Sequence, residues 1–335
     1  MRLCALVAKY NMYNITQLQD LINKEIAEKQ YPNSPVELYE PIRYLMALGG
    51  KRMRPALLLL ACDLFDGSII NALKPAVGIE MFHNFTLMHD DIMDKAPLRR
   101  GSSTVHEKWN ESIAILSGDV MLVEAYQLMM SVEDTIVRVV LNIFSETAAG
   151  VCQGQQIDMN FESLGDVTLN DYLEMIRLKT AVLLAGSLKI GALIGNAKPE
   201  DADALYRFGE NLGLAFQLQD DILDVYGDPE KFGKQVGGDI LSNKKTFLLI
   251  KALELAGELE NEELTYWLNE EDPEAQAKIY AVTDIYNRLG VRQLAEHQMN
   301  TFAEKALSAL EKIDVNREKK DALRAFAEQL LVREN

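Results

Sequence analysis

The sequence has few of the residues that characterise secreted, zinc-binding or β-rich proteins. Its 335 residues include three cysteines, nine prolines and two tryptophans, and aromatic residues make up only 7%. The cysteines, Cys4, Cys62 and Cys152, are odd in number and far apart. This distribution excludes a disulfide framework and the spacing of a zinc site. A reducing compartment is the simplest interpretation, and we predict a cytoplasmic protein.

Long apolar runs and clusters of basic residues are also missing. No apolar stretch approaches the roughly 18 residues of a membrane span, and the apolar patch near the N-terminus is too short for a signal peptide. We therefore predict no transmembrane segment. The 51 acidic residues outnumber the 34 basic ones, so the net charge is −17. Such a charge repels nucleic acid, and we predict no nucleic-acid partner.

The dominant pattern that the sequence does contain is helical periodicity. Hydrophobic residues make up 48% of the chain and return at intervals of three and four residues along nearly all of it. Caps or prolines that mark helix starts occur near Asn33, Thr168, Lys198 and Glu270. Alternating strand patterns, repeats and low-complexity linkers are absent from the sequence. We predict a single all-α domain over residues 1–335, with a peripheral acidic insertion at 258–276.

Two short segments each contain three aspartates: LMHDDIMD at 87–94 and LQDDILD at 218–224. In a helix, Asp90 and Asp94 project from one side, and the second segment repeats this spacing. Like charges at this spacing repel each other, and a bound cation would offset the repulsion. Carboxylates without His or Cys suit Mg²⁺, and neither segment has the glycine of an EF-hand loop. An exposed acidic turn is the alternative for one such motif, but two copies beside apolar residues favour a metal site.

Basic residues occur singly beside glycines, where small anions are often bound. They are Lys51, Arg52 and Arg54 after Gly49 and Gly50, Arg99 and Arg100 after the first aspartates, and Lys234, Lys244 and Lys245 after the second. Arginine binds phosphate in a bidentate way and lysine binds it as a point charge, so these residues indicate a diphosphate site. Alternatively, Arg99 and Arg100 complement a helix dipole. His89 is interpreted as a core histidine, whereas His83, two turns before Asp90, would face the site.

Seven segments, in this order, resemble the trans-isoprenyl diphosphate synthases, also called polyprenyl synthetases: GGKRMRP, HNFTLMHDDIMD, LRRG, GQQID, LKTAVLL, FQLQDDILD and FGKQVGGDI…NKKT. The resemblance covers the chain from about Pro35 to the end. It implies an all-α bundle of the terpenoid-synthase type, normally a homodimer, in which the two aspartate-rich helices face each other across a cavity. It also implies a Mg²⁺-dependent transferase that condenses isopentenyl diphosphate with an allylic diphosphate.

The resemblance further implies a role for each matching residue. Three Mg²⁺ ions would be bound by Asp90, Asp94, Asp220 and Asp224. The allylic diphosphate would contact Arg99, Lys179, Thr180, Gln217, Lys234 and Lys244, of which Lys179, Thr180 and Gln217 would also stabilise the allylic cation. Isopentenyl diphosphate would contact Lys51, Arg54, His83 and Arg100. The last segment is one residue longer than the shortest family versions, so Lys244 and Lys245 are alternatives. Residues 1–13 match no family element and are interpreted as an extension, with a wrongly chosen start as the alternative.

Product length in this family depends on the residues that precede the first aspartates. Here Phe85 and Phe82 lie five and eight residues before Asp90. Their rings would form a floor under the growing chain, so the resemblance implies a product of C15 to C20. Phe85 followed by Thr86, without an insertion among the aspartates, is similar to the archaeal geranylgeranyl synthases. The alternative is that either phenylalanine is ordinary core filling.

Three other functions are alternatives to prenyl transfer. A class I terpene cyclase shares the fold but usually carries an NSE-type triad at the second cluster. A non-catalytic partner subunit of a heteromeric synthase commonly loses the aspartates. A helical scaffold protein would leave both clusters unexplained. The intact aspartates in both segments therefore favour a prenyltransferase.

Overall fold

The computed structural model describes residues 13–228, 236–270 and 272–331. These residues are almost entirely helical, which confirms the predicted all-α class. Within them the α-helices are α1 (Ile15–Glu28), α2 (Val36–Ala47), α3 (Met53–Leu64), α4 (Ile69–Met93), α5 (Val105–Lys108), α6 (Glu111–Met129), α7 (Asp134–Ser163), α8 (Leu169–Ile176), α9 (Val182–Ile194), α10 (Pro199–Tyr226), α11 (Gly238–Leu241), α12 (Phe247–Leu255), α13 (Glu258–Asn269), α14 (Ala275–Leu289), α15 (Val291–Glu311) and α16 (Arg317–Leu331). A π-helical turn, Arg177–Ala181, connects α8 to α9.

Helices begin where the cap signals predict them. Before α8, the Thr168 hydroxyl accepts a hydrogen bond from the Asp171 backbone N–H at 3.2 Å, and the Asp171 carboxylate accepts one from the Thr168 N–H at 3.1 Å. This reciprocal capping box satisfies two N–H groups that have no partner within the helix. Helix α2 follows Pro35 directly, and α10 begins at Pro199.

The first of two compact units comprises residues 13–141, 187–199 and 314–323. Its central helix is α4, which packs against α1, α2, α3, α5 and α6. Because α4 carries apolar residues on all sides, it is buried along most of its 25 residues. Its C-terminal end carries Asp90, Asp91 and Asp94, hereafter the first aspartate cluster.

The second compact unit comprises residues 142–186, 200–313 and 324–331. Its core contains Tyr172, Leu218, Phe247, Tyr286 and Phe302, from α8, α10, α12, α14 and α15. Helix α10 is 28 residues long. The last turns of α10 carry Asp220, Asp221 and Asp224, hereafter the second aspartate cluster.

A two-stranded hairpin follows α4 and is not predicted from the sequence. Strands β1 (Leu98–Arg99) and β2 (Ser102–Ser103) are antiparallel. The turn residues Arg100 and Gly101 both have positive φ, 54° and 77°, as in a type I′ turn. Each strand has two residues, so no alternating apolar pattern marks it.

Two helices, α6 and α7, are long and apolar enough to cross a membrane by length and composition alone. Core helices of water-soluble proteins meet the same criterion. The absence of a transmembrane segment and the cytoplasmic location therefore stay predictions. So do the single domain over 1–335 and the insertion at 258–276, where α13 buries Leu264. Residues 1–12 of the predicted extension lie outside the described residues.

Candidate active site

The first aspartate cluster lies at the C-terminal end of α4, where the helix macrodipole is negative. Asp94 is the C-cap residue, and its N–H donates to the Asp90 carbonyl at 2.8 Å. Carboxylates at this end of a helix are unfavourable by about 0.3–1 kcal/mol each unless a cation offsets them. Asp91 points inward and is only 2% exposed. Its two oxygens share the single N–H of the Arg99 Nε, at 2.8 and 2.9 Å, and Arg99 Nη2 lies 3.9 Å from Asp90.

The segment Gly49–Arg54, hereafter the basic loop, has one arginine that faces the interior. Arg52 has a left-handed backbone, with φ at 45°, and is 4% exposed. Its Nη1 is 2.5 Å from the Glu80 carboxylate on α4, its Nη2 donates to the Met46 carbonyl at 2.8 Å, and its Nε donates to Asn23 at 3.1 Å. Asn84 also donates to the Glu80 carboxylate, at 3.1 Å. Arg52 therefore anchors the loop rather than presenting its charge to a ligand.

Arg54 and His83, both predicted ligands of isopentenyl diphosphate, are in contact. The Arg54 Nη1 lies 3.2 Å from His83 Nε2. Burial, reinforced by the charges of Arg54 and Arg100, holds the pKa of His83 well below its usual value. The imidazole is therefore neutral and accepts the hydrogen bond from Arg54. The buried Arg54 Nε has no hydrogen-bond partner within the described ranges, as expected of a donor that awaits an anion.

Arg100 joins the hairpin to the basic loop. Its Nη1 donates to the Gly49 carbonyl, and its guanidinium packs beside Gly50. A Cβ at Gly50 would lie 3.1 Å from this guanidinium, and the Gly50 φ of 143° also favours glycine. Lys51 is exposed and lies in the same loop. The four predicted contacts of isopentenyl diphosphate thus lie on the basic loop, α4 and the hairpin of the first unit.

The two predicted floor residues form a ring pair on α4. Phe82 and Phe85 are 0% and 8% exposed, with ring centroids 5.6 Å apart. The Phe85 ring also contacts His89 at 4.8 Å, and His89 Nε2 lies 3.2 Å from the Ile115 carbonyl on α6. Gly118 leaves room for the imidazole, because a Cβ there would lie 2.3 Å from it. The Phe85 ring is thus held through His89 against α6. The role of the two rings as a floor stays a prediction.

The second aspartate cluster lies at the C-terminal end of α10, where the negative end of the helix macrodipole also disfavours carboxylates. Burial raises the pKa of Asp221 to about 7 and that of Asp224 to about 6, and Asp239 adds to both shifts. Asp224 accepts a hydrogen bond from the Asp239 backbone N–H at 2.9 Å. Negative charge is thus concentrated where water is partly excluded, and a cation would offset it.

Lys244 is the basic residue associated with these carboxylates. Its Nζ lies 3.5 Å from Asp239. Burial lowers the pKa of Lys244, but the carboxylates of Asp239, Asp221 and Asp158 raise it more, so the net shift is upward. Lys244 therefore fits the predicted diphosphate contact better than its alternative Lys245. The remaining predicted lysine, Lys234, lies outside the described residues.

The π-helical turn carries Lys179 and Thr180. Lys179 Nζ contacts the Asp158 carboxylate at 2.6 Å, and the Thr180 hydroxyl donates to the Gln217 carbonyl oxygen at 3.1 Å. A π-turn inside an α-helix is frequently found at functional sites. Its backbone lies directly against α7 at Gly154, where a Cβ would be 2.2 Å from the Lys179 nitrogen. The glycine of the GQQID segment thus lets the π-turn approach.

Four residues that the sequence does not predict as site residues contact predicted ones: Glu80, Asp158, Tyr172 and Asp239. Asp158 has a sequence signal, because it ends the GQQID segment. Glu80 has a weaker one, as an acidic residue within an apolar helix. Asp239 also has a sequence signal, because it lies in the segment FGKQVGGDI. Tyr172, whose hydroxyl donates to Asp221 at 2.6 Å, follows no pattern that marks it.

The carboxylates of the two aspartate clusters are oxygen ligands of the kind that Mg²⁺ prefers. Among the described residues, no group of three or more His, Cys, Asp or Glu side chains is arranged to enclose a metal ion. At phosphate sites, Mg²⁺ needs only one or two carboxylates per ion, because phosphate oxygens and water complete its coordination shell. Each aspartate cluster supplies such carboxylates at the negative end of a long helix. The residues present therefore fit Mg²⁺ bound together with a phosphate ligand.

Known proteins resemble this chain along most of its length. Residues 35–286 match the polyprenyl synthetase family. The geranylgeranyl diphosphate synthase of Methanosarcina mazei is 45% identical over 222 residues, which cover 66% of this chain and 68% of that protein. The short chain isoprenyl diphosphate synthase of Methanothermobacter thermautotrophicus is 36% identical over 322 residues, covering 96% and 98%.

Solved structures extend this similarity to the fold. The geranylgeranyl pyrophosphate synthetase from Pyrococcus horikoshii Ot3 has a TM-score of 0.89 at 34% identity, over 96% of this chain and 97% of that one. The match of the family model over most of the chain, together with these relatives, shows the family. The chain belongs to the polyprenyl synthetase family and is, as its sequence predicts, a short-chain trans-isoprenyl diphosphate synthase.

Proposed function

We propose that this prenyltransferase makes an all-trans prenyl diphosphate of C15 to C20, with C20 favoured, in a reaction that requires Mg²⁺. The observation that carries the proposal is the position of an aspartate cluster at the C-terminal end of each of two long helices, α4 and α10. The preference for C20 is supported by relatives named geranylgeranyl diphosphate synthases.

Magnesium would be held by Asp90 and Asp94 in the first cluster and by Asp220 and Asp224 in the second, with three ions per active site. Bound Mg²⁺ would act as a Lewis acid on the diphosphate that leaves. Lys179, Lys244 and Arg99 contact the allylic diphosphate, with Lys234 as a further contact. Their charges stabilise the negative charge that develops as the C–O bond breaks and its electron pair stays on oxygen.

The organic part of the substrate becomes an allylic cation, which the protein stabilises with oxygen dipoles. Thr180 and Gln217 present such dipoles, because their side-chain oxygens meet at 3.1 Å beside the π-turn. Lys51, Arg54, His83 and Arg100 hold the diphosphate of isopentenyl diphosphate. Its alkene electrons then form the new C–C bond, and the released diphosphate takes the proton that is lost.

The reaction is tested by incubating the protein with Mg²⁺, isopentenyl diphosphate and farnesyl or geranyl diphosphate, followed by chromatography of the extracted prenols. A C15 or C20 prenol is expected, and EDTA should abolish its formation. A terpene cyclase would instead consume the allylic substrate alone.

Asp220→Ala should lower kcat by roughly 10³-fold or more without unfolding the protein. Asp272→Ala, an exposed aspartate outside both clusters, is the control; activity of Asp220→Ala within a few-fold of wild type would contradict the metal assignment.

The floor at Phe85 and Phe82 limits the product in this proposal. Phe85→Ala opens space beside the ring of Phe82 and should lengthen the product by one or more C5 units. The readout is the prenol chain length under identical substrate ratios. A product of unchanged length would show that the limit lies elsewhere.

We also propose that the enzyme is a homodimer. Helix α6 and its C-cap residue expose an apolar stripe of Leu116, Val123 and Met130, which are 58%, 56% and 57% exposed. Their spacing of seven residues places them two turns apart on one face. An exposed apolar stripe of this kind is typical of a surface that a second copy covers.

A further inference from the structure

Four side chains of the second unit form a continuous hydrogen-bonded chain that ends at the proposed cation site. The Tyr172 hydroxyl on α8 donates to Asp221 Oδ2 at 2.6 Å. The Gln217 amide, one turn before Asp221 on α10, donates to Asp221 Oδ1 at 3.0 Å. The Thr180 hydroxyl donates to Gln217 Oε1 at 3.1 Å. The hydrogen-bonded chain therefore connects α10 to α8 through Tyr172 and to the π-turn through Thr180.

The direction of each hydrogen bond in this chain is fixed by chemistry. The Tyr172 hydroxyl has a single proton, which it donates to Asp221 Oδ2 at 2.6 Å. Asp221 Oδ1 accepts a hydrogen bond from the Gln217 side-chain nitrogen at 3.0 Å. Gln217 must therefore turn its NH₂ group toward Asp221, and this leaves its oxygen on the opposite side, toward Thr180.

Asp221 differs from its neighbours in the second cluster. It is 3% exposed, and both of its oxygens accept hydrogen bonds from the protein. Tyr172 is 1% exposed, and its ring is fixed by an edge contact with Phe247, with centroids 6.5 Å apart. A buried carboxylate whose oxygens are both engaged is suited to hold a neighbouring side chain.

We propose that Tyr172 and Asp221 are positioning residues that fix the Gln217 amide with its oxygen toward the allylic cation. This inference rests on the prenyl-transfer function proposed above. The amide oxygen carries partial negative charge and stabilises a cation, whereas the NH₂ group carries partial positive charge and opposes it. A preorganised dipole acts without the cost of reorientation during the reaction. Loss of the Tyr172 hydroxyl would let Asp221 rotate and release the amide.

The test is Tyr172→Phe, which removes one oxygen and keeps the ring packed against Phe247. We expect kcat to fall by roughly tenfold or more, while the KM values for both substrates and the Mg²⁺ concentration for half-maximal rate change less than twofold. Tyr226→Phe is the matched control, since the Tyr226 hydroxyl is buried and has no hydrogen-bond partner in the described part of the chain. It should retain the wild-type kcat.

A second readout probes the electrostatics directly. A protonated alkylammonium analogue of the allylic cation should bind Tyr172→Phe roughly tenfold more weakly than it binds wild type. A neutral carbon analogue of the same shape should bind both proteins equally. Equal binding of the charged analogue to both proteins would overturn the proposal.

A double-mutant cycle separates positioning from a merely structural role. In a Gln217→Leu background, Tyr172→Phe should cause no further loss of kcat, because the group that it positions is gone. An independent, multiplicative loss would overturn the inference, as would a Tyr172→Phe variant with full kcat.

The variant Asp221→Asn allows the amide to turn and should reproduce the loss of kcat with an unchanged Mg²⁺ requirement. A raised Mg²⁺ requirement, like that of Asp220→Asn, would identify Asp221 as a metal ligand instead. If the wild-type protein forms no prenyl product, the proposed function fails rather than this positioning role.

Discussion

Four arginines of the first unit, Arg52, Arg54, Arg99 and Arg100, differ in how their charges are balanced. Arg52 is bound by the Glu80 carboxylate and Arg99 by that of Asp91. Arg54 is bound to neutral His83, and Arg100 to the Gly49 carbonyl. The positive charge of the last two is therefore available to isopentenyl diphosphate, whereas Arg99 would contact the allylic diphosphate while it stays paired with Asp91. This difference explains why adjacent arginines in one motif have different roles.

Glu80→Gln removes the carboxylate that holds Arg52 and should loosen the basic loop. We expect the KM for isopentenyl diphosphate to rise by roughly tenfold and the Tm to fall, because a buried cation loses its partner. The KM for the allylic substrate should stay within twofold of wild type. Glu28→Gln, at an exposed Lys24–Glu28 pair of the same unit, is the control. An unchanged KM for isopentenyl diphosphate would show that Glu80 does not position the loop.

Neutral His83 makes the stability of the fold depend on pH. Its folded-state pKa is lowered by burial and by Arg54, so below about pH 6.5 the unfolded chain binds a proton that the folded chain does not. Stability should therefore fall as the pH decreases from 6.5 toward the folded pKa. Relative to His83→Gln, the wild type should lose on the order of 1 kcal/mol by pH 5.5. Urea unfolding of both proteins at pH 7.5 and 5.5 measures this, and parallel changes would contradict the assignment.

At the scale of secondary-structure elements, the π-turn depends on small residues in the helices that face it. Gly154 on α7 lies against Lys179, and Gly213 on α10 lies against Ala181, where a Cβ would be 2.6 Å from the Ala181 Cα. Helix interiors usually disfavour glycine by about 1 kcal/mol relative to alanine. Here the close packing of α7 and α10 against the π-turn requires glycine and outweighs its low helix propensity. The same packing holds Lys179 and Thr180 in place.

Gly154→Ala should displace the π-turn. Because the added Cβ would meet backbone atoms, we expect a loss of roughly 1–3 kcal/mol in unfolding free energy and a fall in kcat. Gly150→Ala, one turn earlier on α7, is the matched control, since its Cβ would meet side chains at an ordinary 3.5 Å. That variant should be as stable as wild type or more so. Equal behaviour of the two variants in thermal unfolding would contradict the packing argument.

At the scale of the whole molecule, net charge and local charge have opposite signs. The net charge is −17, yet the substrates are anions. Arginines and lysines beside glycines supply local positive potential, and Mg²⁺ would offset the aspartates. Because exposed charges are screened over about 8 Å at physiological ionic strength, the local groups matter more to a bound diphosphate than the total does.

The proposed homodimer is tested at the same scale. Val123→Glu places a charge in the apolar stripe of α6 and should convert the dimer to a monomer in size-exclusion chromatography with light scattering. Leu259→Glu is the control, because Leu259 is 71% exposed on α13, outside the stripe. A wild-type protein that elutes as a monomer would contradict the dimer itself. A Val123→Glu protein that stays dimeric would place the interface elsewhere.

The sequence by itself determined the all-α class, the helix starts at Thr168 and Pro199, and the two aspartate clusters. These features depend on spacing within a few residues, which local periodicity and capping express directly. Only the tertiary structure decided that Arg52 turns inward to Glu80, that Gly154 admits the π-turn, and that Tyr172 holds Asp221. Each of these contacts joins residues far apart in sequence, and their partners are selected by packing and by the cost of burying an unpaired polar group.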